Sequence, residues 1–381
     1  MKNILFKLYW HYLDYSSFII LFFKKTLSDS KNQLAPIKTK SFEAEMNINP
    51  EAIVFVPELN WELELINEID KKFKTHIYRG IESKEFFNHR SEWFDWRAET
   101  SRAIFDYVND LTNKSQNKNF VFFSYLSDFN LDPKIAKKIS SIPNIMMVNF
   151  NWDDVQHFSR NIFLQPIGVK KVSRYFDINY TVSRKALSHY DFNKSKSKIW
   201  KGSRLDVEKE YFPLQNKRIN KVLFVGAKFG IREKLIKSIK DSGIEVDCFG
   251  RGWGTRMLSN DEYREYVPKY SIVIGNSLIG HSNHHMIVKG RDFEIPNFGG
   301  LYLTSFFNEL NDFYNIGEEI LTYKNINQAI LIINKVLQNP DNFEEIRYKG
   351  WLRTRMYNTW ESRIKSLHIE ANHFFNPNKT N

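Results

Sequence analysis

The sequence predicts two α/β domains, each built on a parallel sheet, that face each other across a cleft. Short continuous apolar runs alternate with segments of helical periodicity, which is the pattern of parallel strands covered by helices. The alternation stops at the lysine-rich stretch 194–213 and then restarts. Because 381 residues exceed what one ordinary core holds, we expect a domain boundary near residue 205.

The N-terminal unit, expected over residues 48–205, contains five apolar runs with the length of buried strands. These strands are predicted at 52–56, 76–78, 120–125, 145–150 and 178–182. Segments of helical periodicity follow them at 61–72, 98–111, 133–140 and 184–190. Strand and helix therefore alternate as they do in parallel sheets with crossover helices.

The C-terminal unit, expected over residues 206–365, repeats this order. Strands are predicted at 222–225, 246–249, 272–274 and 301–304. Helices are predicted at 231–242, 261–267, 326–338 and 343–355. Residues 366–381 are expected to form a tail or a helix that returns to the N-terminal domain.

Residues 1–26 predict an amphipathic helix, and residues 27–47 a polar linker. Lys7, His11 and Asp14 recur at helical spacing and form a polar stripe, while Trp, Phe, Leu and Ile fill the other faces. Such a helix suits the interface of a membrane that carries acidic lipids. Packing on the protein itself or on a partner, and a true membrane span, are the alternatives.

The charge and cysteine content limit the classes of partner and site. Lys and Arg number 55 against 44 Asp and Glu, and the formal net charge of +11 suggests an anionic partner. Residues 1–40 contribute +5, because seven lysines there outnumber two aspartates. Cys248 is the only cysteine, which excludes an intrachain disulfide and a cysteine-based metal cage. We expect a cytoplasmic protein that is peripheral on the inner face of the membrane.

Two glycine-containing loops follow predicted strands of the C-terminal unit. Gly226 ends the first strand, and Arg232 begins the next helix, so amide groups of the helix N-terminus could meet an anion. Gly252 and Trp253 follow the second strand, where open α/β sheets bind ligands, and the tryptophan could approach a base or a sugar. Plain turns are the alternative for both loops.

The segment 289–300 combines cations, a carboxylate and glycines. Lys289 and Arg291 lie at the start of a predicted helix and could hold a diphosphate, and Glu294 could accept both hydroxyls of a ribose. Gly299 and Gly300 allow a tight turn and a close approach of the backbone. An Arg–Glu pair exposed on the surface is the alternative.

Carboxylates also follow a strand in the N-terminal unit. Asp153, Asp154 and His157 come directly after the predicted strand 145–150 and could orient or deprotonate an acceptor hydroxyl. Capping of a helix is the alternative for the two aspartates. A divalent ion is compatible with this site but is not specified. His281, His284 and His285 lack the further ligands and supporting shell of a zinc site, so no metal site is assigned.

Taken in order, these segments resemble the CgeB-like glycosyltransferases, a GT-B group related to the spore-maturation proteins. The matching segments begin at residues 224–226, 232–236, 263–274 and 289–294, and continue at 299–304, 309–310, 317–323 and 359–363. The N-terminal unit matches more loosely, at 151–154, 176–177 and 181–183. The resemblance implies two Rossmann-like domains, the C-terminal one holding the nucleotide.

The resemblance also implies roles for particular residues. Glu294 would bind the ribose, and Arg232, Lys289 and Arg291 would neutralise the diphosphate leaving group. Met286 stands where broader related families place a glutamate near the donor sugar. The donor base, the sugar, the acceptor, the stereochemistry and the oligomeric state are therefore not assigned.

The predicted function is transfer of a sugar from a nucleotide-diphospho-sugar donor to an acceptor hydroxyl, in surface polysaccharide or glycolipid synthesis. No tightly bound cofactor is expected. The alternative is a non-enzymatic module of the same fold that binds nucleotide or nucleic acid. It predicts salt-sensitive binding to a polynucleotide and no consumption of sugar nucleotides. The sequence favours the enzyme, because its cations cluster with a carboxylate and glycines rather than along an aromatic stacking surface.

Overall fold

The computed structural model describes residues 49–56, 62–80, 89–152, 154–158, 161–162, 165–166, 168–190, 196–199, 212–213, 217–282 and 284–376. The predicted amphipathic helix 1–26, the linker 27–47 and the boundary near residue 205 lie outside these residues. In the part of the chain that is described, none of the helices combines the length and the apolar character needed to cross a bilayer.

The N-terminal domain is built on a six-stranded parallel sheet in the order β2-β1-β3-β4-β7-β8. Its strands are β1 (Glu51–Phe55), β2 (Thr75–Ile77), β3 (Phe120–Ser124), β4 (Ile145–Asn151), β7 (Ile178–Thr181) and β8 (Lys196–Ile199). A separate antiparallel pair joins β5 (Asn161–Ile162) and β6 (Gln165–Pro166). Strands β1, β3 and β4 are buried almost throughout, which explains their continuous apolar character.

The helices of this domain are α1 (Glu62–Asp70), α2 (Arg90–Lys114), α3 (Pro133–Ser140), α4 (Asp154–His157) and α5 (Arg184–Leu187). The start of α3 shows why the sequence sets its boundary. The Asp132 carboxylate accepts a hydrogen bond from the Lys134 amide, and Pro133 occupies the first turn, where its missing N–H is not needed.

The C-terminal domain is built on a five-stranded sheet in the order β10-β9-β11-β12-β13, with every neighbouring pair parallel. Its strands are β9 (Ile219–Val225), β10 (Val246–Phe249), β11 (Tyr270–Ile274), β12 (Tyr302–Ser305) and β13 (Leu321–Tyr323). Its helices are α6 (Arg232–Asp241), α7 (Asn260–Lys269), α8 (Arg291–Asn297), α9 (Ile326–Gln338) and α10 (Glu344–Tyr357). Helix α7 begins with a reciprocal capping box between Ser259 and Glu262.

The last helix, α11 (Trp360–Phe375), leaves the C-terminal domain and packs on the N-terminal one. Its buried residues Trp360, Ile364 and Leu367 join the core on one face of the N-terminal sheet. The Trp360 ring stacks on Trp152, with centroids 6.0 Å apart and planes 9° from parallel. The chain therefore crosses between the two domains a second time.

The prediction of a GT-B-type fold with two parallel-sheet domains is confirmed. The sequence pattern missed β8, because its lysine-rich segment lacks the apolar run of a buried strand. It also missed the first two turns of α2, where only Trp93 and Arg97 are buried and the aromatic residues Phe94 and Trp96 do not follow the spacing of one buried helix face. Strand β13 was not predicted either, and it is three residues long at the edge of the sheet.

Candidate functional site

The loops of the C-terminal domain converge where its central strands end. The loop 226–231 follows β9, the loop 250–259 follows β10, and the segment 275–290 follows β11. Because β9 lies between β10 and β11, these three loops are neighbours at the carboxyl edge of the sheet. Ligands of open α/β sheets bind at this edge.

Gly226 lets an arginine lie directly on the backbone. Its φ is +148°, and a Cβ at this position would lie 2.8 Å from Nη2 of Arg291. The neighbouring loop is equally close, because a Cβ on Gly250 would lie 2.5 Å from the Gly226 carbonyl oxygen. The predicted role of Gly226 in ligand binding stays a prediction, but its lack of a side chain admits the guanidinium of Arg291.

Two arginines, Arg232 and Arg291, lie side by side over this loop. Arg232 donates from Nη1 to the Ala227 carbonyl at 3.2 Å, and the Arg291 guanidinium lies 5.5 Å from the centre of the Phe224 ring. Burial and the positive charge of Arg291 lower the pKa of Arg232 to about 10, so it is still charged at neutral pH.

Arg232 and Arg291 form no ion pair within the described residues. Neither guanidinium forms an ion pair with any carboxylate that the structure describes, and Nη1 of Arg291 is buried without a hydrogen-bond partner there. Lys228, by contrast, pairs with Glu233 at 2.9 Å in the same loop. Asp292 is close enough for the charge of Arg291 to lower its pKa, against the larger effect of burial, but it forms no ion pair with either arginine. Two adjacent, partly desolvated cations therefore remain that a bound anion would stabilise.

Trp253 joins the first two loops. Its indole Nε1 donates to the Gly226 carbonyl at 2.8 Å, and its ring packs edge-on against Phe224 at 5.6 Å. The backbone of Gly252 (φ +88°) lies close to Lys228, because a Cβ added at Gly252 would lie 3.1 Å from the Cβ of Lys228. Trp253 therefore connects the loop after β10 to the loop after β9. Contact of Gly252 and Trp253 with a base or a sugar stays a prediction.

Lys289 and Asp292 anchor the start of α8. The Lys289 ammonium donates to the carbonyls of Asn276 at 2.9 Å and Leu278 at 2.5 Å. The buried Asp292 carboxylate accepts from the Lys289 amide at 2.7 Å and from the Tyr302 hydroxyl at 2.6 Å, and its burial raises its pKa. The sequence missed Asp292 and Tyr302, which hold the helix that carries Arg291.

Glu294 lies one turn into α8. A Cβ on Gly290 would lie 3.0 Å from its Oε1, so the carboxylate folds back over the first turn of the helix. It is therefore on the same end of α8 as Arg291 and Lys289. This places the three predicted residues of the segment 289–294 together at the carboxyl edge of the sheet.

Gly299 and Gly300 are surrounded by protein. A Cβ on Gly299 (φ +80°) would lie 2.4 Å from Pro213, and one on Gly300 would lie 2.5 Å from Val267 and 2.8 Å from Ile295. These glycines allow α8 to turn tightly into β12. The neighbours of both positions are side chains of the chain itself, and the predicted contact of these glycines with a ligand stays untested.

The predicted catalytic residues lie at the end of β4. Asp154 is fully buried, and its carboxylate accepts a hydrogen bond from the Tyr190 hydroxyl at 2.6 Å. Burial and this carboxylate raise the pKa of Tyr190. Asp153 and the side chain of His157 lie outside the described residues. Asp154 therefore has a structural position, and the catalytic prediction for these three residues stays untested.

The two domains meet at three consecutive residues after β7. Val182 packs with Ile279 and Ile287 of the C-terminal domain. The Ser183 hydroxyl and the Arg184 amide donate to Oε1 of Glu309 at 2.9 and 3.1 Å. The Arg184 guanidinium pairs with Asp312 at 2.7 Å. No sequence pattern indicates such long-range contacts, and the polar pairs are 125 to 128 positions apart.

The described residues do not gather three or more His, Cys, Asp or Glu side chains in a group that could hold a metal ion. Within the histidine-rich segment, His281 packs edge-on against Phe229 with centroids 5.1 Å apart. No metal ligand is assigned to the three histidines.

Comparisons with known proteins agree with this fold. Residues 232–369, about a third of the chain, match the family model described as "Glycosyl transferase-like". A sucrose-phosphate synthase from Thermosynechococcus elongatus is 11% identical, with a TM-score of 0.58 over 86% of this chain and 99% of that chain. A glycosyltransferase from Rickettsia africae is 11% identical, with a TM-score of 0.57 over 87% of this chain and 100% of that chain. No curated protein sequence matches the chain.

The fold alone does not choose between activities. A structure assigned as a UDP-N-acetylglucosamine 2-epimerase from Listeria monocytogenes is 9% identical, with a TM-score of 0.53 over 87% of this chain and 98% of that chain. The match of residues 232–369 to a glycosyltransferase-like model is the finding that distinguishes between them. At the level of this C-terminal domain, the prediction of a glycosyltransferase is confirmed.

Proposed function

We propose that the chain transfers a sugar from a nucleoside-diphosphate sugar, held in the C-terminal domain, to a hydroxyl group of a glycan or glycolipid acceptor. The observation that carries this proposal is the pair Arg232 and Arg291 without an ionic partner among the described residues. The finer assignment to the CgeB-like group belongs to the same proposal.

The diphosphate would rest between the two guanidinium groups. Breaking the bond between the sugar C1 and the phosphate oxygen leaves negative charge on the diphosphate, and fixed cations stabilise that charge without reorganising. Arg232 and Arg291 are held by Ala227 and Phe224, so they are oriented before the donor binds. Lys289 adds positive charge at the start of α8.

The ribose would lie on Glu294. A carboxylate accepts hydrogen bonds from two adjacent hydroxyls, and Glu294 lies three residues after Arg291 on α8. The nucleotide would therefore bridge from the arginine pair to the first turn of this helix. We use UDP as the first probe, because the Listeria protein of the same fold is assigned to a UDP-sugar.

The acceptor would enter from the N-terminal domain. Its hydroxyl oxygen forms the new bond to C1 and loses its proton, and Asp153 and His157 are the proposed groups for orienting it or taking the proton. Surface polysaccharide or glycolipid synthesis suits the basic N-terminal segment, which would hold the protein at the inner face of the membrane.

The arginine pair can be tested by titration calorimetry with UDP and with a panel of nucleotide sugars. Loss of a charged hydrogen-bond donor costs about 1.5–3 kcal/mol, so we expect Arg291→Gln and Arg232→Gln to weaken UDP binding by about tenfold to a hundredfold. Glu294→Gln should weaken the binding of UDP more than the binding of the corresponding 2′,3′-dideoxy nucleotide.

Arg102→Gln is the matched control, because Arg102 is exposed on α2 in the N-terminal domain. The substitution removes the same charge as the two site variants do. Its UDP affinity should equal that of the wild type. If all three arginine variants lose affinity equally, net charge rather than the site is responsible. If the wild type binds none of the nucleotides, the proposed donor site is wrong.

Turnover separates the enzyme from a binding module. Slow hydrolysis of the preferred nucleotide sugar, lost in Arg291→Gln, is expected of a glycosyltransferase. Release of a 2-epimerised sugar would instead indicate the epimerase activity of the Listeria protein. Salt-sensitive binding of a polynucleotide without sugar release would indicate the nucleic-acid module.

A further inference from the structure

A buried hydroxyl–carboxylate pair lies next to the arginines of the proposed donor site. The Tyr302 hydroxyl donates to Oδ1 of Asp292 at 2.6 Å, and each of these two residues is only 1% exposed. Burial raises the pKa of both groups, and the charge of Arg291 opposes that shift, so the three side chains are close in space. Because the pair is buried, it is not positioned to contact a donor in the cleft directly.

Asp292 closes the turn that contains Arg291. Its Oδ2 accepts a hydrogen bond from the Lys289 amide at 2.7 Å, and its own amide donates to the Lys289 carbonyl at 3.0 Å. Residues 289 and 292 are thus joined by two hydrogen bonds, and Arg291 lies between them in the chain. A shift of the Asp292 carboxylate would therefore move the backbone that carries the Arg291 side chain.

Tyr302 connects this carboxylate to the central strands of the sheet. It is the first residue of β12 and pairs with Val273 of β11. Its hydroxyl occupies the space beside Gly275, because a Cβ on Gly275 would lie 2.1 Å from the Tyr302 oxygen. Burial and the charge of Asp292 raise the pKa of Tyr302, so the hydroxyl is protonated at neutral pH and donates to the carboxylate.

From this geometry we infer that Tyr302 and Asp292 are positioning residues for the donor diphosphate and that they act through Arg291. The inference rests on the proposed function, because Arg291 is one of the two cations that would hold the diphosphate. A cation that is fixed before the donor binds stabilises the leaving diphosphate without reorganising. Gly226 leaves room for the guanidinium, and the Tyr302–Asp292 pair fixes the backbone from which it extends.

The alternative is that the pair only stabilises the domain, as a buried hydrogen bond to a carboxylate does wherever it lies. The same domain contains a second contact of this type, from the Tyr270 hydroxyl to Asp247 at 2.8 Å. Tyr270 is the first residue of β11, whose amino end lies at the edge of the sheet opposite to the donor-site loops. Tyr270→Phe is therefore a matched control that removes the same kind of hydrogen bond away from the site.

A double-mutant cycle measured by titration calorimetry tests whether Tyr302 acts through Arg291. The ligand is the nucleoside diphosphate that the wild type binds most tightly among UDP, GDP, dTDP, ADP and CDP. We expect Tyr302→Phe to weaken its binding about tenfold, because a displaced guanidinium loses contact with the diphosphate. In the Arg291→Gln background, the same substitution should change the affinity by less than about twofold. Tyr270→Phe should leave the affinity unchanged in both backgrounds.

Gly275→Ala is an independent variant that acts on the same hydroxyl. Its methyl group displaces the Tyr302 side chain without changing any residue of α8, so it should weaken binding of the nucleotide only when Arg291 is present. In hydrolysis of the preferred nucleotide sugar, kcat should fall in Tyr302→Phe and in Gly275→Ala but not in Tyr270→Phe. Urea denaturation of every variant measures stability separately from these two readouts.

Additive losses of affinity in Tyr302→Phe and Arg291→Gln would overturn the inference. So would a Tyr302→Phe variant that loses stability but binds and turns over like the wild type. In both cases a weakened Arg291→Gln variant would leave the proposed donor site standing. If the wild type binds none of the five nucleotides, the proposed function itself fails, and the positioning role fails with it.

Discussion

At the scale of single residues, the proposed donor site depends on the absence of a side chain at Gly226. The Arg291 guanidinium occupies the space that any side chain at position 226 would take. This makes the glycine a determinant of cation placement, in addition to a turn former. The sequence indicated that Gly226 and Arg291 belong to one site, but 65 positions separate them and no local pattern shows the contact.

Substituting this glycine gives the first prediction. Gly226→Ala places a methyl group 2.8 Å from Nη2 of Arg291 and requires an alanine at φ +148°. Because the guanidinium must move, we expect UDP affinity to fall about tenfold, and the strained backbone should lower the free energy of unfolding by about 1–2 kcal/mol. Calorimetry and urea denaturation measure the two effects.

Gly243→Ala is the control for the stability that is lost through backbone strain alone. Its φ is +86°, and an added Cβ meets no atom within 4 Å. It should lose comparable stability and bind UDP as the wild type does. Equal UDP affinity in Gly226→Ala would show that the arginine position does not depend on this glycine.

Asp154 is a residue whose role cannot be judged from its residue type unless its burial is known. A carboxylate after a buried strand suits both catalysis and structure, and the sequence contains no signal that decides between them. The structure buries Asp154 completely and gives it the hydroxyl of Tyr190. Tyr190 follows Asp154 by 36 positions, so the pair appears only when the fold is known.

The second prediction concerns this pair. Tyr190→Phe removes a hydroxyl donor from a buried carboxylate, which should lower the free energy of unfolding by about 1–3 kcal/mol. Affinity for UDP should be unchanged, because the pair lies in the other domain. Tyr175→Phe is the control, since the Tyr175 hydroxyl makes no hydrogen bond to the described residues. A loss of turnover without a loss of stability in Tyr190→Phe would support a catalytic role for Asp154.

At the scale of elements, α11 is the connection that ties the two domains together. Its apolar face covers one side of the N-terminal sheet, and its His368 lies beside the core residue Phe73. The His368 ring lies edge-on against Phe73 at 5.2 Å, and its Nδ1 lies 3.2 Å from the Asn372 side-chain amide. An amide donor at this nitrogen favours the neutral imidazole.

The third prediction follows from the titration of this histidine. Burial and the charge of Lys72 lower the pKa of His368 below its usual value of 6.5. The unfolded chain therefore takes up the proton more readily, so stability is fully present above about pH 6.5 and declines as the pH falls through the lowered pKa. Denaturation of wild type and His368→Gln between pH 7.5 and 5 should show a shallower decline in the variant.

His373→Gln provides the comparison, because His373 is exposed on the same helix. Its pH profile should follow that of the wild type. Parallel profiles for wild type and His368→Gln would show that other groups control the acid sensitivity of this docking surface. The helix itself should remain in place at neutral pH in both variants.

At the scale of the whole molecule, the alternation of strands and helices was sufficient to predict the architecture. Buried strands such as β3 and β4 read as continuous apolar runs, because both faces of a parallel sheet are covered. The contacts between domains could not be predicted. Ser183 and Glu309, for example, carry no periodic signal and meet only because β7 and β12 end at the same cleft.

The candidate site was predictable in part for the same reason. Arg232, Arg291 and Glu294 follow strand ends, and the topology brings strand ends together. Asp292 and Tyr302 were not singled out, because a buried aspartate and a buried tyrosine have no distinguishing local pattern. Their roles depend on three-dimensional neighbours rather than on sequence spacing.

The last prediction concerns how the basic charge of the molecule is distributed. Of the formal net charge of +11, +5 lies within residues 1–40, so electrostatic attraction to an acidic surface should be concentrated in that segment. In sedimentation with vesicles, the full chain should bind phosphatidylglycerol more strongly than phosphatidylcholine. Raising the salt from about 50 to 300 mM should weaken binding, because screening shortens the reach of surface charge.

Deleting residues 1–25 should abolish this binding and leave UDP affinity unchanged, since the nucleotide site is proposed in the other half of the chain. Replacing Lys7, Lys24 and Lys25 with Gln tests the charge while keeping the apolar residues, and it should reduce binding to acidic vesicles only. If the shortened chain and the full chain bind acidic vesicles equally, the membrane contact lies outside residues 1–25. Binding of the full chain to neither vesicle would contradict a peripheral membrane location, while leaving the donor site to be judged on the arginine variants alone.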